Sequence, residues 1–350
     1  MFLKKKNPVG LDIGSSYLKI VQLNDAKAGY EVASAGMLPL RPEIIVDGAI
    51  ADKDGLTNAL KDLMKKAGIK SADAVIGVSG HSSVIIKKIT IPVMTEDELA
   101  TSIKYEAEQY IPFDINEVNL DFQILGPKPE EGQMDVVLVA VKKNTIQEYV
   151  EAIEAAGLYP VIVDVDSFAL VNMYEANYDI VEGKNVALVN VGATKTNIDI
   201  LRAGLPIFTR DSAIGGSHHT EALERSLEIS REDAERLKQG QAIEGVSAID
   251  VQAALTSASE EIYNEIYRSF EYYRSSVGDD EISEIILSGG TTRVNGFAST
   301  MAERLGIQVE IADPFKKIRV PEKLDPSFIK DSAPMLAVAV GLAMRRVGDR

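Results

Sequence analysis

Apolar residues alternate with small or polar ones twice near the start of the chain. Val9, Leu11 and Ile13 lead up to Gly14, and Leu18, Ile20 and Val21 resume the pattern after Ser15 and Ser16. A period of two marks a strand, and a glycine turn between two such runs predicts a hairpin. Roughly half a chain later the run NVALVNVGATKTNIDI (185–200) repeats the design, with Gly192, Ala193, Thr194 and Thr196 between two apolar stretches. Two similar hairpins at that separation predict a duplicated domain with a ligand gripped between the halves.

The remaining pattern fills in around the hairpins. A third strand is expected at 30–38. Leu56, Leu60, Leu63 and Met64 have helical spacing over 54–67, with Gly68 as the stop. Strands follow at 72–78 and 84–91, and the chain to this point reads as one α/β unit. The pattern changes at Pro92. Thr95 with Glu98 three residues on forms a capping box for a helix carrying Leu99 and Ile103. Strands at 118–125 and 134–141, a helix at 145–156 and a strand at 160–165 complete a small subdomain inserted into the first unit. A helix beginning at Asp166 returns to that unit. After the second hairpin a strand at 207–210 leads through Ile214, Gly215 and Gly216 to a helix at 217–227. Ser230 caps a short helix, and Asp250 caps a long one to about 276 with Ala258, Ile262, Ile266, Phe270 and Tyr273 on one stripe. That stripe is a core face. A strand at 284–287 runs into Ser288, Gly289, Gly290 and Thr291. Helices at 296–305 and 335–346 end the chain.

Composition narrows the function. The chain has 350 residues and is 45% hydrophobic, as expected of a globular fold of two to four core-forming units. Its net charge of −16 argues against a nucleic-acid binder and against docking on an anionic membrane. With no cysteine there is no disulfide, thiolate or Cys-bound zinc, and His81, His218 and His219 lack metal-ligand spacing. Neither a signal peptide after Lys4, Lys5 and Lys6 nor a membrane span is expected, which predicts a soluble cytoplasmic chain.

The turns carry the candidate chemistry. Amides of Gly14, Ser15 and Ser16 can converge on one anion, as backbone nests do. Asp12 stands just before the turn, where a carboxylate can hold hydrated Mg²⁺, and Lys19 can reach the same phosphates. Neither a G-x-G-x-x-G nor a P-loop is present. A double glycine such as Gly289-Gly290 lets a flat base approach the backbone.

Together these motifs resemble the actin/Hsp70/sugar-kinase ATPase superfamily. GLDIGSSYLK resembles its first phosphate motif, VNVGATKTN the second and ILSGGTTR the adenosine motif. VDSFALVNMY and AVAVGLAM stand at the two connecting helices. The inserted subdomain is similar to that of the FtsA-like branch. SIKYEAEQYIPFD, together with the lysine-rich start and the lack of a C-terminal amphipathic tail, resembles the PilM family of type IV pilus assembly proteins.

The resemblance implies an actin-like α/β fold of duplicated lobes around a nucleotide cleft. Lobe I would comprise 1–92, 161–182 and 333–350, and the inserted FtsA-like 1C subdomain 93–160. Lobe II would comprise 183–212 and 280–332, with a 2B-like subdomain at 213–279. It implies ATP with Mg²⁺. Gly14, Ser15, Ser16 and Lys19 would take the phosphates, and Gly192, Ala193 and Thr194 would close over them. Glu235, Lys238, Gly289, Gly290 and Thr291 would hold the nucleoside, Gly215 and Gly216 would also bind the cofactor, and Asp12 and Asn190 would hold the metal through water. Asn190 stands where the family has aspartate, and an amide cannot serve as base. Asp166 is then the candidate to orient water, and ATP hydrolysis is expected to be slow or absent. The implied partner is the cytoplasmic N-terminal peptide of PilN at the inner face of the inner membrane. Other pilus inner-membrane and motor components, and self-association, stay open as contacts. The alternatives are an FtsA-like filament former and a small-molecule kinase of the same fold.

Overall fold

The computed structural model describes residues 7–349 except 28, 47, 81–82, 129–131 and 279–280; Lys4, Lys5, Lys6 and His81 lie outside the described residues. Strands β1 (Val9–Ile13) and β2 (Tyr17–Asp25) form the first hairpin, with Ile13 opposite Leu18 and Asp12 opposite Lys19. β3 (Tyr30–Pro39) adds antiparallel to β2. After the small pair β4 (Ile45–Val46) and β5 (Ala49–Ile50) comes α1 (Lys53–Lys66). Asp52 caps α1 by accepting from Gly55 N, and Gly68 follows it at φ 63°. Leu56, Leu60 and Leu63 are its buried stripe. β6 (Asp73–Val78) pairs parallel to β1.

The insert differs from its expected boundaries. β7 (Val84–Pro92) does not belong to the first sheet. It pairs along its whole length with β9 (Gln133–Lys142), from Val84 opposite Val141 to Pro92 opposite Gln133. α2 (Glu96–Glu108) carries the capping box of Thr95 and Glu98, and β8 (Val118–Lys128) completes the order β7-β9-β8. Leu99, Ile103 and Ala107 of α2 pack on Ile89, Ile91, Val136 and Leu138. The change of pattern at Pro92 thus marks a turn inside the insert. α3 (Lys143–Ala155) and β10 (Tyr159–Val165) return to the first unit instead. Tyr149, Ala152 and Ile153 pack with Leu56, Leu60 and Leu63, and β10 lies parallel to β6.

The second lobe repeats the first sheet. α4 (Asp166–Asn177) leads to the second hairpin, β11 (Asn185–Val191) and β12 (Thr196–Arg202), and then to β13 (Leu205–Ser212). α5 (Ser217–Leu227), α6 (Arg231–Lys238) and α7 (Ala248–Ser276) follow. Ser247, not Asp250, caps α7: its hydroxyl accepts from Asp250 N. β14 (Ile282–Ser288), α8 (Phe297–Leu305) and β15 (Gln308–Ile311) close the lobe. The two sheets run β3-β2-β1-β6-β10 and β13-β12-β11-β14-β15, with matching parallel and antiparallel pairs.

Two helices stand between the sheets. α9 (Pro326–Ser332) and a 3₁₀ turn precede α10 (Ala337–Met344), every residue of which is buried. Residues Pro326–Met344 form one run of 19 residues apolar and long enough to cross a membrane, unlike anything expected from the sequence, yet 72% of its apolar window is buried inside the molecule. A helix apolar all round belongs in a core. α10 packs on α4 and on β1, β2 and β6 of the first sheet, and α4 packs on β12 of the second, so that Val21, Leu23 and Val75 share one cluster with Leu188 and Ile286. Each such side chain contributes about 1.5–3 kcal/mol on burial, so this shared core joins the lobes. Small residues let the backbones meet. A Cβ on Gly341 would stand 1.7 Å from the Ala169 carbonyl oxygen, and one on Gly10 2.1 Å from that of Ala339.

Candidate functional site

The two hairpin turns close in the same way. Gly14 N donates to Tyr17 O at 3.1 Å, and Gly192 N donates to Lys195 O at 2.9 Å. Their tips meet across the lobes, where the hydroxyls of Ser15 and Thr194 lie 3.0 Å apart. The third glycine turn locks onto the second. Gly289 has φ 93°, and a Cβ there would fall 2.3 Å from Val191 O. Gly216 N donates to Gly192 O at 2.8 Å, and Thr291 Oγ1 donates to the same oxygen at 3.4 Å.

These turns surround one cleft. Asp12, Gly14, Ser15, Ser16, Lys19, Asp166, Asn190, Gly192, Ala193, Thr194, Gly216, Glu235, Lys238, Gly289, Gly290 and Thr291 all line it. Gly215 does not: it sits behind the hairpin, where a Cβ would meet Ala193 O at 2.7 Å. Sequence reasoning missed Tyr17, Lys195, Gln239, Arg293, Val294, Met335 and Val338, which complete the lining. For Lys195 a signal was available, since it is the charged residue of the second turn. The others come from element ends whose meeting depends on the fold.

Charge is paired at both ends of the cleft. Lys19 Nζ donates to Asp12 Oδ2 at 2.7 Å. Burial pushes the Asp12 carboxyl above its ordinary pKa, with Lys19 opposing and the Asp166 charge adding to the rise. Ser79 donates to Asp166, and Lys195 Nζ reaches Ser79 and Asp166 Oδ2, the latter at 3.3 Å. Burial pulls the Lys195 pKa down, but Asp166 and then Tyr149, Asp211 and Asp12 carry it above the ordinary lysine value. A Cβ on Gly77 would lie 2.2 Å from Asp166 Oδ1, so only glycine leaves that carboxylate its place. Asn190 spends its side chain inside the second lobe. Its Nδ2 donates to Asn197 Oδ1 at 3.0 Å, and its Oδ1 accepts from Ser288 at 3.2 Å. At the far end Lys238 Nζ donates to Glu235 Oε1 at 2.6 Å and to Thr220 Oγ1 at 2.8 Å. Burial lowers the Lys238 pKa, and Glu235 offsets part of that. The histidines turn elsewhere: His218 Nδ1 faces Gly215 O at 3.2 Å and His219 Nε2 faces Ser259 Oγ at 2.8 Å. Among the described residues no group of three His, Asp or Glu side chains is placed to hold a metal.

Duplicated sheets, two crossing helices and a cleft rimmed by glycine turns define the actin-like ATPase fold. The family of type IV pilus assembly protein PilM matches residues 10–347, so the chain belongs to that family. The structure of a PilM–PilN type IV pilus biogenesis complex superposes with a TM-score of 0.87 at 28% identity, covering 99% of this chain and 100% of that one. Cell division protein FtsA of Bacillus subtilis is 24% identical over 351 residues, 87% of this chain and 78% of its own. MreB5 of Spiroplasma citri bound to AMPPNP shares the fold at 11% identity and a TM-score of 0.53, over 97% and 95% of the two chains.

Proposed function

We propose that this chain is a cytoplasmic ATP-binding scaffold of the type IV pilus inner-membrane assembly complex. It docks the cytoplasmic N-terminal peptide of PilN and is held at the inner membrane through that partner. The observation that carries the reading is the cleft itself: hairpin tips from two lobes meet at Ser15 and Thr194, 3.0 Å apart, in a chain of the PilM family. A related PilM is known in a complex with PilN, and MreB5 is known bound to AMPPNP on the same fold.

The donor set suits a polyphosphate. Lys19 and Lys195 supply positive charge, and Gly14, Gly192 and Gly290 leave backbone open to a ligand; a Cβ on Gly290 would touch only Met335 Cε at 3.6 Å. Gly14, Ser15, Ser16 and Lys19 would hold phosphates from one side, with Gly192, Ala193 and Thr194 on the other. Gly216, Glu235, Lys238, Gly289, Gly290 and Thr291 would hold the nucleoside. Asp12 would keep a hydrated Mg²⁺, with Asn190 reaching it through water; the metal supplies charge neutralisation to the phosphates. The carboxylates are already engaged, Asp12 by Lys19 and Asp166 by Ser79 and Lys195, and Asn190 is tied to Asn197 and Ser288. Asn190, an amide, cannot serve as base, and Asp166 keeps its bond from Ser79 whatever Lys195 does, which favours slow hydrolysis or none.

ATP then acts as a conformational ligand. A nucleotide that binds both lobes favours one arrangement of them, and a peptide that reads that arrangement is coupled to it. The insert built from β7, α2, β8 and β9 is the proposed docking region. The test is titration of a labelled PilN N-terminal peptide against the full chain with Mg-ATP and with no nucleotide. The expected result is tight binding that shifts by about fivefold or more between the two conditions. A peptide that fails to bind in either condition would overturn the scaffold reading.

A further inference from the structure

Lys195 is the charged residue of the turn between β11 and β12, and its backbone oxygen closes that turn. Its side chain leaves the second lobe altogether. The ammonium reaches Ser79, just after β6, and Asp166 Oδ2 at 3.3 Å, at the start of α4. Both partners belong to the first lobe. Lys19 differs: its partner Asp12 lies opposite it on its own hairpin, at 2.7 Å. Of the two lysines at the hairpins, one is therefore held within a lobe and the other across the lobes.

The two ends of the cross-lobe pair differ in freedom. Asp166 is pinned, because Ser79 donates to it and Gly77 backs it so closely that a Cβ would stand 2.2 Å from its Oδ1. Lys195 ends a flexible four-carbon stem and carries a point charge. Its bond to Asp166, at 3.3 Å, is long for a charge-assisted contact, which runs about 2.7–2.9 Å. A phosphate group in the same cleft offers it more charge and more acceptor oxygens than a carboxylate shared with Ser79. Moving Lys195 also leaves the lobes tied, since Gly80 N of the first lobe donates to Asp211 Oδ2 of the second at 2.8 Å.

We infer that Lys195 is the residue that distinguishes a nucleoside triphosphate from a diphosphate in this cleft. It exchanges Asp166 for the terminal phosphate, whereas a diphosphate leaves the Lys195–Asp166 pair in place. Lys19, fixed to its own hairpin, serves the phosphates common to both. The inference rests on the nucleotide reading above and adds a specificity residue to it.

The test is equilibrium titration of the full chain with Mg-ATP and with Mg-ADP, using the wild type, Lys195→Met, Lys195→Gln and Lys195→Arg. Thermal unfolding identifies any variant that has lost its fold, and the two neutral variants stand in for each other. The neutral variants should lose about tenfold in ATP affinity while ADP affinity stays within about twofold, and Lys195→Arg should keep most of the preference. Equal losses for ATP and ADP, or no change in their ratio in a folded neutral variant, would overturn the inference and leave the nucleotide reading standing. A wild-type chain that binds neither nucleotide at millimolar concentration would overturn both.

Discussion

Among single residues, Asp199 sets a pH dependence of its own. It sits mid-strand in β12, fully buried, with the Ser167 and Thr209 hydroxyls nearby but neither carboxylate oxygen completing a hydrogen bond. Burial, with the charges of Asp211 and Asp166, pushes it up to about 7. An acid whose pKa is higher folded than unfolded stabilises the fold fully only below its unfolded value, about 4. That stability is lost as pH rises through the folded value near 7. Asp199→Asn, which mimics the neutral acid, should therefore match the wild type in thermal unfolding at pH 4 and exceed it by several degrees at pH 8. Parallel pH profiles for the two proteins would show that Asp199 is not the group responsible. Gly77 makes a second residue-scale case. A methyl group there displaces Asp166, so Gly77→Ala should lower stability by about 1–3 kcal/mol in denaturant unfolding and loosen the Lys195 contact. Neither residue stands out in the sequence. A buried Asp within an alternating strand and a glycine near a strand end look ordinary until the start of α4, with Asp166 and Ser167, is laid against them.

At the scale of elements, the tightest constraint is the crossing of α4 and α10. With the Gly341 Cβ position 1.7 Å from Ala169 O, no side chain fits without moving a helix. Gly341→Ala should cost about 3 kcal/mol or prevent soluble expression; wild-type stability in that variant would mean the helices can separate freely. The hairpins, the capped helix α2 and the helix stripes were legible because each is specified by nearby residues: Gly14 between alternating runs, Thr95 with Glu98, Leu56 with Leu60 and Leu63. Membership of a sheet was not. β7 reads like any half-buried strand, and only its pairing with β9 assigns it to the insert. The same holds for β10, whose partner β6, with Asp73 opposite Tyr159, lies far earlier in the chain. The cap of α7 was misplaced for a local reason, since Ser247 and Asp250 are both good capping residues three positions apart. The site was legible to the extent that it was written in glycine turns. Ser79 and Asp211 belong to no turn motif, and the reach of Lys195 from the second turn to the other lobe emerges, like theirs, only from the packing.

For the whole molecule, the duplicated sheet order and the shared core of α4 and α10 make two lobes that can respond together to one ligand. Stability should report this directly. A ligand that binds the folded chain alone raises unfolding free energy by about 2.7 kcal/mol at a hundredfold excess over its Kd, so Mg-ATP should raise Tm in one transition; a rise confined to one of two separate transitions would mean the lobes bind independently. The proposed scaffold depends on a cleft that holds ATP and leaves it intact. It is tested most directly by incubating the purified chain with Mg-ATP for hours, desalting, denaturing and identifying the retained nucleotide by chromatography. Intact ATP in near one-to-one amount is the expected outcome. Recovery of ADP would contradict slow hydrolysis at a site where Asn190 is tied and Asp166 is held by Ser79, and recovery of no nucleotide at all would contradict the clamp itself.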